Sequence, residues 1–305
     1  MTPDTYTIQE QFIDVSDGHQ LYTQEWGSQS AKTTFLFLHG GPGSGCNDRY
    51  KRRFDPDQHH VIFFDQRGSG RSLPYGSLEH NTTQKLVEDI NTILDHYKQE
   101  KVVLMGASWG STLALAYALE HPEQVEAMVL QGIFTGSPDE IEWLDKGLFK
   151  TFYPEAWERY LAQTPKSHHA NPSAYHIDRV LGDDPVGMGA SGLAYENLES
   201  AVLSLDDRTH SYDPLEYDPL PIRIEMYYMH HGCFMSDRHI LKNASRLQMP
   251  IWLVQGRYDM VCPPKTAYEL HQKLPDSKLI WTVAGHKGSD RSNDDVIKTI
   301  LLQFK

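Results

Sequence analysis

The residues best suited to chemistry surround Ser108. Gly106-Ala107-Ser108-Trp109-Gly110 follows the apolar run Lys101–Met105 and precedes the helix-like Ser111–Glu120, which stops at His121-Pro122. This is G-x-S-x-G between a predicted strand and a predicted helix, the setting in which a tight turn exposes a serine hydroxyl as a nucleophile. Small residues are expected at Gly106 and Gly110 because such a turn leaves no room for a Cβ. The turn lifts Ser108 Oγ clear of the sheet edge. It also aims the Trp109 N–H, at the start of the helix, towards a developing oxyanion. The competing reading is a plain strand-to-helix turn.

A second glycine-rich loop, His39-Gly40-Gly41-Pro42-Gly43-Ser44-Gly45, ends the run Thr33–Leu38. A strand running into His-Gly-Gly supplies a second oxyanion donor in α/β hydrolases, and Gly41 is the candidate. A phosphate loop is disfavoured, because no Lys-Ser/Thr follows and G-x-G-x-x-G is absent.

A serine nucleophile needs a base, and the base needs an orienter. The run Pro250–Gln255 opens into Gly256-Arg257-Tyr258-Asp259, and Leu279–Val283 opens into Ala284-Gly285-His286. Asp259 and His286 therefore fall just past the carboxyl ends of two strands. Ser108 shares that edge, where open α/β sheets place their ligands. The chain has 16 His, so the choice needs an argument. His271 falls inside a helix and His121 at a helix end. His59-His60, His168-His169 and His230-His231 are chain neighbours, poorly placed to share one metal. No H-E-x-x-H spacing occurs, so no metal site is predicted. An exposed turn is the alternative for Asp259.

The elements that must hold these residues alternate. Candidate strands are Ile8–Val15, Leu21–Trp26, Thr33–Leu38, Val61–Asp65, Lys101–Met105 and Ala127–Leu130, then Pro250–Gln255 and Leu279–Val283. Those after the first two are nearly continuous in Leu, Val, Ile and Phe, as in strands buried on both faces. Thr82–Tyr97 keeps helical spacing through Leu86, Ile90, Ile93, Leu94 and Tyr97, with Asn81 or Thr82 able to cap it. Lys265–Leu274 and Asn293–Phe304 read as further helices. The fold class is α/β, with a mostly parallel central sheet. Between Ile133 and Ser245 the strand rhythm disappears: Trp143–Tyr160 is followed by the loop-like Thr164–Asn171 and the Asp-, Pro- and Tyr-rich Asp206–Pro221. One catalytic domain of residues 1–132 and 246–305, with a helical cap of residues 133–245, explains this better than two tandem domains.

His39-Gly40-Gly41-Pro42-Gly43, Asp65-Gln66-Arg67-Gly68-Ser69-Gly70-Arg71-Ser72, Gly106-Ala107-Ser108-Trp109-Gly110 and Gly256-Arg257-Tyr258-Asp259 resemble the motifs of the proline iminopeptidases, prolyl aminopeptidases of the α/β-hydrolase fold. The resemblance runs from about Phe12 to His286. It implies Ser108 as nucleophile, Asp259 as orienter and His286 as base, with Gly41 and Trp109 forming the oxyanion hole. It implies further that Glu199 and Glu225 hold the substrate's free amino terminus. Glu199 lies in Tyr195-Glu196-Asn197-Leu198-Glu199, where Tyr195 and Leu198 replace two tryptophans of the family, and Glu225 lies in Arg223-Ile224-Glu225. Phe134 and Cys262 match positions lining the proline pocket, Met229 replaces an aromatic residue, and a pocket tyrosine is Leu144 here. Two carboxylates suit an exopeptidase, which must recognise a protonated amine, and an apolar wall suits a pyrrolidine ring. A solvated helix face or structural ion pairs are the alternative for the two glutamates. Arg67, Arg71 and Arg257 are read as braces for their loops.

Composition limits the partners. The 305 residues carry 28 basic and 41 acidic side chains, a formal net charge of −13. That acidity argues against nucleic acid and against an anionic membrane surface. No apolar run approaches the roughly 20 residues of a spanning helix. Met1–Glu10 lacks the pattern of a signal peptide. Cys46, Cys233 and Cys262 form neither a disulfide framework nor a zinc pattern. A cytoplasmic protein without cofactor, acting on short peptides with a free N-terminus, is expected. A related esterase, amidase or lactonase using the same triad is the alternative, and a non-catalytic binding protein on this fold a third reading. Residues 133–245 hold 18 Asp and Glu against 9 Lys and Arg, a net of −9, so the charge concentrates in the expected cap. Such a cap would favour entry of cationic amino termini.

Overall fold

The computed structural model describes residues 6–146, 149–205 and 216–304, without the side chains of Leu144 and Asp145. An antiparallel pair, β1 (Thr7–Asp14) and β2 (Gln20–Gly27), forms one edge of the sheet. Then come β3 (Thr34–Leu38), β4 (His60–Phe64), β5 (Val102–Ala107), β6 (Val125–Gln131), β7 (Ile251–Gly256) and β8 (Ser277–Thr282). The order is β1-β2-β4-β3-β5-β6-β7-β8. β2 runs antiparallel to β4, and every pairing from β4 to β8 is parallel. All eight expected strands are present, with ends shifted by one or two residues.

Strand periodicity divides the core in two. Leu36, Leu38, Ile62, Phe64 and Leu104 enter one apolar cluster, while Phe35, Phe37, Val61, Phe63 and Val103 enter the other. Successive side chains on a strand point to opposite faces, so a strand apolar at every position is covered on both sides. Helices α1 (Thr83–His96) and α2 (Trp109–Glu120) cover the first face. Thr82 caps α1, its side chain accepting from the Lys85 amide at 3.3 Å. α2 is buried from Trp109 to Leu119, which explains why it is apolar all round.

Between β6 and β7 the described residues hold helices joined by loops and no strand. They form α3 (Pro138–Ile141), α4 (Trp143–Lys146), α5 (Phe149–Phe152), α6 (Pro154–Ala162), α7 (Pro172–Leu181), α8 (Pro185–Ser200), α9 (Leu220–His230) and α10 (His239–Asn243). Residues 206–215 of the Asp- and Pro-rich stretch lie outside the described set. Local signals place α7 and α8. Asn171 and Asp184 are their N-caps, each followed by proline at the first helical position, and the Asp184 carboxylate accepts from the Val186 and Gly187 amides at 3.1 and 3.0 Å. α11 (Pro264–His271) and α12 (Arg291–Leu301) complete the chain, and α12 buries Ile297, Ile300 and Leu301 against the second face.

Candidate active site

Ser108 stands between β5 and α2 with φ 56° and ψ −124°, a backbone conformation that non-glycine residues rarely adopt. Its amide donates to the Gln131 carbonyl at 2.9 Å, and its carbonyl accepts from the Ser111 amide at 2.8 Å. The helix starts at Trp109, two residues earlier than the apolar pattern suggested. Gly110 therefore lies in its first turn, and what excludes a side chain there is the neighbouring strand. A Cβ on Gly110 would stand 2.0 Å from the Leu38 carbonyl oxygen. As the first helical residue, Trp109 has an amide without an acceptor inside the helix. Its indole ring points elsewhere: it is buried, donates to Gln66 Oε1 at 2.9 Å and packs edge-on against Tyr228.

The His-Gly-Gly loop is aimed by its own histidine. His39 is fully buried, and burial pushes its imidazole below the ordinary range, so it is neutral. Its Nε2 accepts from the Gln66 amide at 3.0 Å, which leaves the proton on Nδ1 to donate to the Gly40 carbonyl at 2.8 Å. In a planar trans peptide C=O and N–H point in opposite directions. Holding the Gly40 oxygen against His39 thus turns the Gly41 N–H away from His39. Gln66 also donates to the His39 carbonyl at 3.0 Å, so this one side chain braces both expected oxyanion donors.

The neighbouring arginines brace loops, as expected. Arg67 is fully buried and grips Asp89 with two bonds of 2.7 and 2.8 Å. Arg71 pairs with Asp65 at 2.8 Å and lies over the Tyr22 ring. Arg257 stacks on Trp281 at 3.8 Å.

Asp259 and His286 meet behind the cavity. His286 Nδ1 donates to Asp259 Oδ2 at 2.9 Å, which leaves Nε2 as the imidazole's acceptor. Asp259 is fully buried and also accepts from the Cys262 amide at 2.8 Å, the Val261 amide at 3.0 Å and Gln255 Nε2 at 3.1 Å. Burial alone would lower the His286 pKa; the adjoining Asp259 charge outweighs it and holds the imidazole well above its ordinary value. The Cys262 thiol hydrogen-bonds to the same ring, and burial pushes it up to about 11.

Two cavities meet at Ser108. The inner one is lined by Ser108, Gly41, Glu199, Glu225 and Met229, and its walls include Phe134, Trp143, Phe149, Tyr195 and Cys262. Ser108, Gly41, Glu199, Glu225 and His286 also line the wider outer one. Of the pocket residues expected from the sequence, Phe134, Met229, Cys262, Tyr195, Glu199 and Glu225 line these cavities. Asp259 and the Trp109 side chain stand behind them. Leu198 is instead buried in a cluster with Phe149, Tyr160, Ala194 and Val202, and the Leu144 side chain lies outside the described residues.

Glu225 is buried and Glu199 half-buried. Burial, then the charge of Glu196, raises Glu199 to about 7. Burial, then the charge of Glu199, raises Glu225 well above the carboxylate range. Two carboxyls this close raise one another's pKa values, because each charge opposes the other.

Three contributors escaped sequence reasoning. Glu196 lines the outer cavity three residues before Glu199, a helical spacing that was available as a signal. Glu140 lines the inner cavity, and burial raises it to about 7 although the Ser137 and Thr135 amides donate to it. Its signal was the capping box Ser137-Pro138-Asp139-Glu140. Gln131 ties Ser108 to His286 and had no local signal.

This sheet order, with the serine turn on β5 and a paired His and Asp past β8 and β7, defines an α/β hydrolase. Residues 33–288 match the family model of the alpha/beta hydrolase fold. A proline iminopeptidase of Xylella fastidiosa is 37% identical over 302 residues, 97% of this chain and 96% of its own. One from Arabidopsis thaliana is 37% identical over 286 residues, 91% of this chain and 75% of its own. The solved proline iminopeptidase of Mycobacterium smegmatis shares the fold, with a TM-score of 0.64 at 18% identity over 97% of this chain and 98% of that one. The chain belongs to the proline iminopeptidase family.

Proposed function

We propose that this protein is a serine aminopeptidase that releases N-terminal proline from short peptides. The observation that carries the reading is the pair Glu199 and Glu225, set in the same cavity as Ser108 and His286. A protonated amine between two carboxyls with raised pKa values draws both towards the charged form, and the free N-terminus supplies that amine. An internal peptide bond has no such cation. The apolar walls at Phe134, Met229 and Cys262 receive the pyrrolidine ring. Residues 133–245 act as the cap.

In this mechanism His286 Nε2 takes the Ser108 proton while Oγ attacks the carbonyl of the first residue. The oxyanion forms against the Gly41 and Trp109 amides, each worth about 3–4 kcal/mol by analogy with single oxyanion donors. Collapse breaks the C–N bond, and His286 passes its proton to the leaving amine. Water gives a proton to His286 and attacks the acyl-enzyme; the C–Oγ bond then breaks as His286 returns that proton to Ser108, freeing proline. No step requires a metal or an organic cofactor. Three free thiols suit the reducing cytoplasm, and among the described residues no helix is long and apolar enough to cross a membrane.

The replacement of two family tryptophans by Tyr195 and Leu198 favours one second reading, an esterase or amidase with the same triad. Glu199→Gln and Glu225→Gln separate the two. Both variants should lose cleavage of prolyl-nitroanilide and keep hydrolysis of nitrophenyl acetate. Normal cleavage of the proline substrate by both would end the amine-clamp reading.

A further inference from the structure

The outer cavity carries two kinds of charge from two parts of the fold. Its acid groups, Glu196, Glu199 and Glu225, come from α8 and α9. Arg49, Arg52 and Arg53 come from the segment between β3 and β4, and Lys287 directly follows His286. Asp294 and Lys298 of α12 also line it and pair with each other. Arg49 and Arg52 are exposed and Lys287 is half-buried; among the described residues none of the three forms an ion pair. Arg53 is buried at 7%; its Nε donates to Asp294 at 3.0 Å, yet its Nη1 has no hydrogen-bond partner. With Arg49, Arg52, Arg53, Lys287 and Lys298 against Asp294, this wall carries a net positive charge.

The chemistry of the reaction says which end of a substrate meets this wall. The leaving amine must reach His286 to collect its proton, so the second residue of the substrate, which carries that amine, lies beside Lys287. In a dipeptide that residue carries the α-carboxylate. An extended residue spans about 3.3–3.6 Å, so this carboxylate stays within one or two residue lengths of the reacting carbonyl. We propose that Arg49, Arg52 and Lys287 bind the free α-carboxylate of the substrate, and that the enzyme therefore prefers dipeptides over amidated or longer peptides. The proposal rests on the aminopeptidase reading. It adds a second charge requirement to it: the cavity recognises a short zwitterion, amine at the glutamates and carboxylate at the basic wall.

The test compares prolyl-alanine, its C-terminal amide, and prolyl-aspartic acid diamide, which carries no free carboxyl, with prolyl-aspartyl amide, which carries only a side-chain carboxylate. The free dipeptide should exceed its amide by at least about fivefold in kcat/KM, chiefly through a lower KM. Arg49→Gln/Arg52→Gln and Lys287→Gln should each reduce that ratio, and added salt should reduce it in the unaltered enzyme. Equal cleavage of acid and amide by an enzyme that hydrolyses prolyl-nitroanilide would overturn this proposal alone. An undiminished ratio in both variants would overturn the assignment to these residues. Prolyl-aspartyl amide cleaved as well as the free dipeptide would overturn recognition of the α-carboxylate in particular. Failure of the unaltered enzyme on every proline substrate would instead overturn the aminopeptidase reading.

Discussion

Gln131 binds His286 by donating its side-chain amide to the His286 carbonyl oxygen at 2.8 Å, while its own carbonyl accepts from the Ser108 amide at 2.9 Å. One residue at the end of β6 thus sets the spacing between the serine turn and the histidine loop. Gln131→Leu should leave a buried carbonyl without its donor and lower stability by about 1–3 kcal/mol. Turnover of prolyl-nitroanilide should fall more than KM changes, because the proposed amine clamp at Glu199 and Glu225 is untouched. Steady-state kinetics with a thermal melt would check this; an unchanged kcat would remove Gln131 from the positioning scheme.

Gly132, the next residue, has φ 61°, and a Cβ there would stand 3.0 Å from His286 Cε1. Gly132→Ala should press on the imidazole, and the left-handed conformation adds about 1–2 kcal/mol of strain. The expected result is a folded protein with depressed kcat. Gly110→Ala, which sets a methyl against the Leu38 carbonyl, should instead fail to fold or melt far lower. Circular dichroism on both variants distinguishes local displacement from loss of the fold.

The pH dependence follows from His286. In the proposed mechanism only the neutral imidazole accepts the serine proton, so activity is lost as pH falls through its pKa. Because that value is raised well above 6.5, the acid limb for a neutral ester should lie above the ordinary imidazole range. Removing a nearby negative charge lowers a histidine's pKa, so Glu199→Gln should move the limb to lower pH. A limb that stays in place would show that Glu199 does not influence His286.

Glu199 also makes stability depend on pH. Its folded pKa of about 7 exceeds the reference value of 4.5, so the folded state binds more protons between those values. Stability contributed by the protonated carboxyl is then lost as pH rises through about 7. Glu199→Gln should accordingly raise stability at pH 8 by about 1–2 kcal/mol, a figure reduced for solvent access to this half-buried group, and by little near pH 4.5. Denaturant melts at the two pH values would check it. Destabilisation at pH 8 would mean that the carboxylate already has a compensating partner.

The local pattern alone determined much of this protein. Continuous apolar strands, the glycine turn around Ser108 and the strand ends before Asp259 and His286 are short-range features, because strand burial and tight turns constrain the residues next to them. The family resemblance carried Glu199 and Glu225, which have no distinctive spacing of their own. What the tertiary structure decided depends on contacts between distant segments. Gln66 reaches His39 and Trp109, Gln131 reaches His286 across 155 residues, and Gly110 is small because β3 passes beside it. The basic wall is the same kind of feature: Lys287 is far along the chain from Arg49 and Arg52, and the three line one cavity only where the loops after β3 and β8 open onto Ser108. Charge acts through space, so neither that wall nor the raised pKa values of the glutamates could be read before the chain was folded.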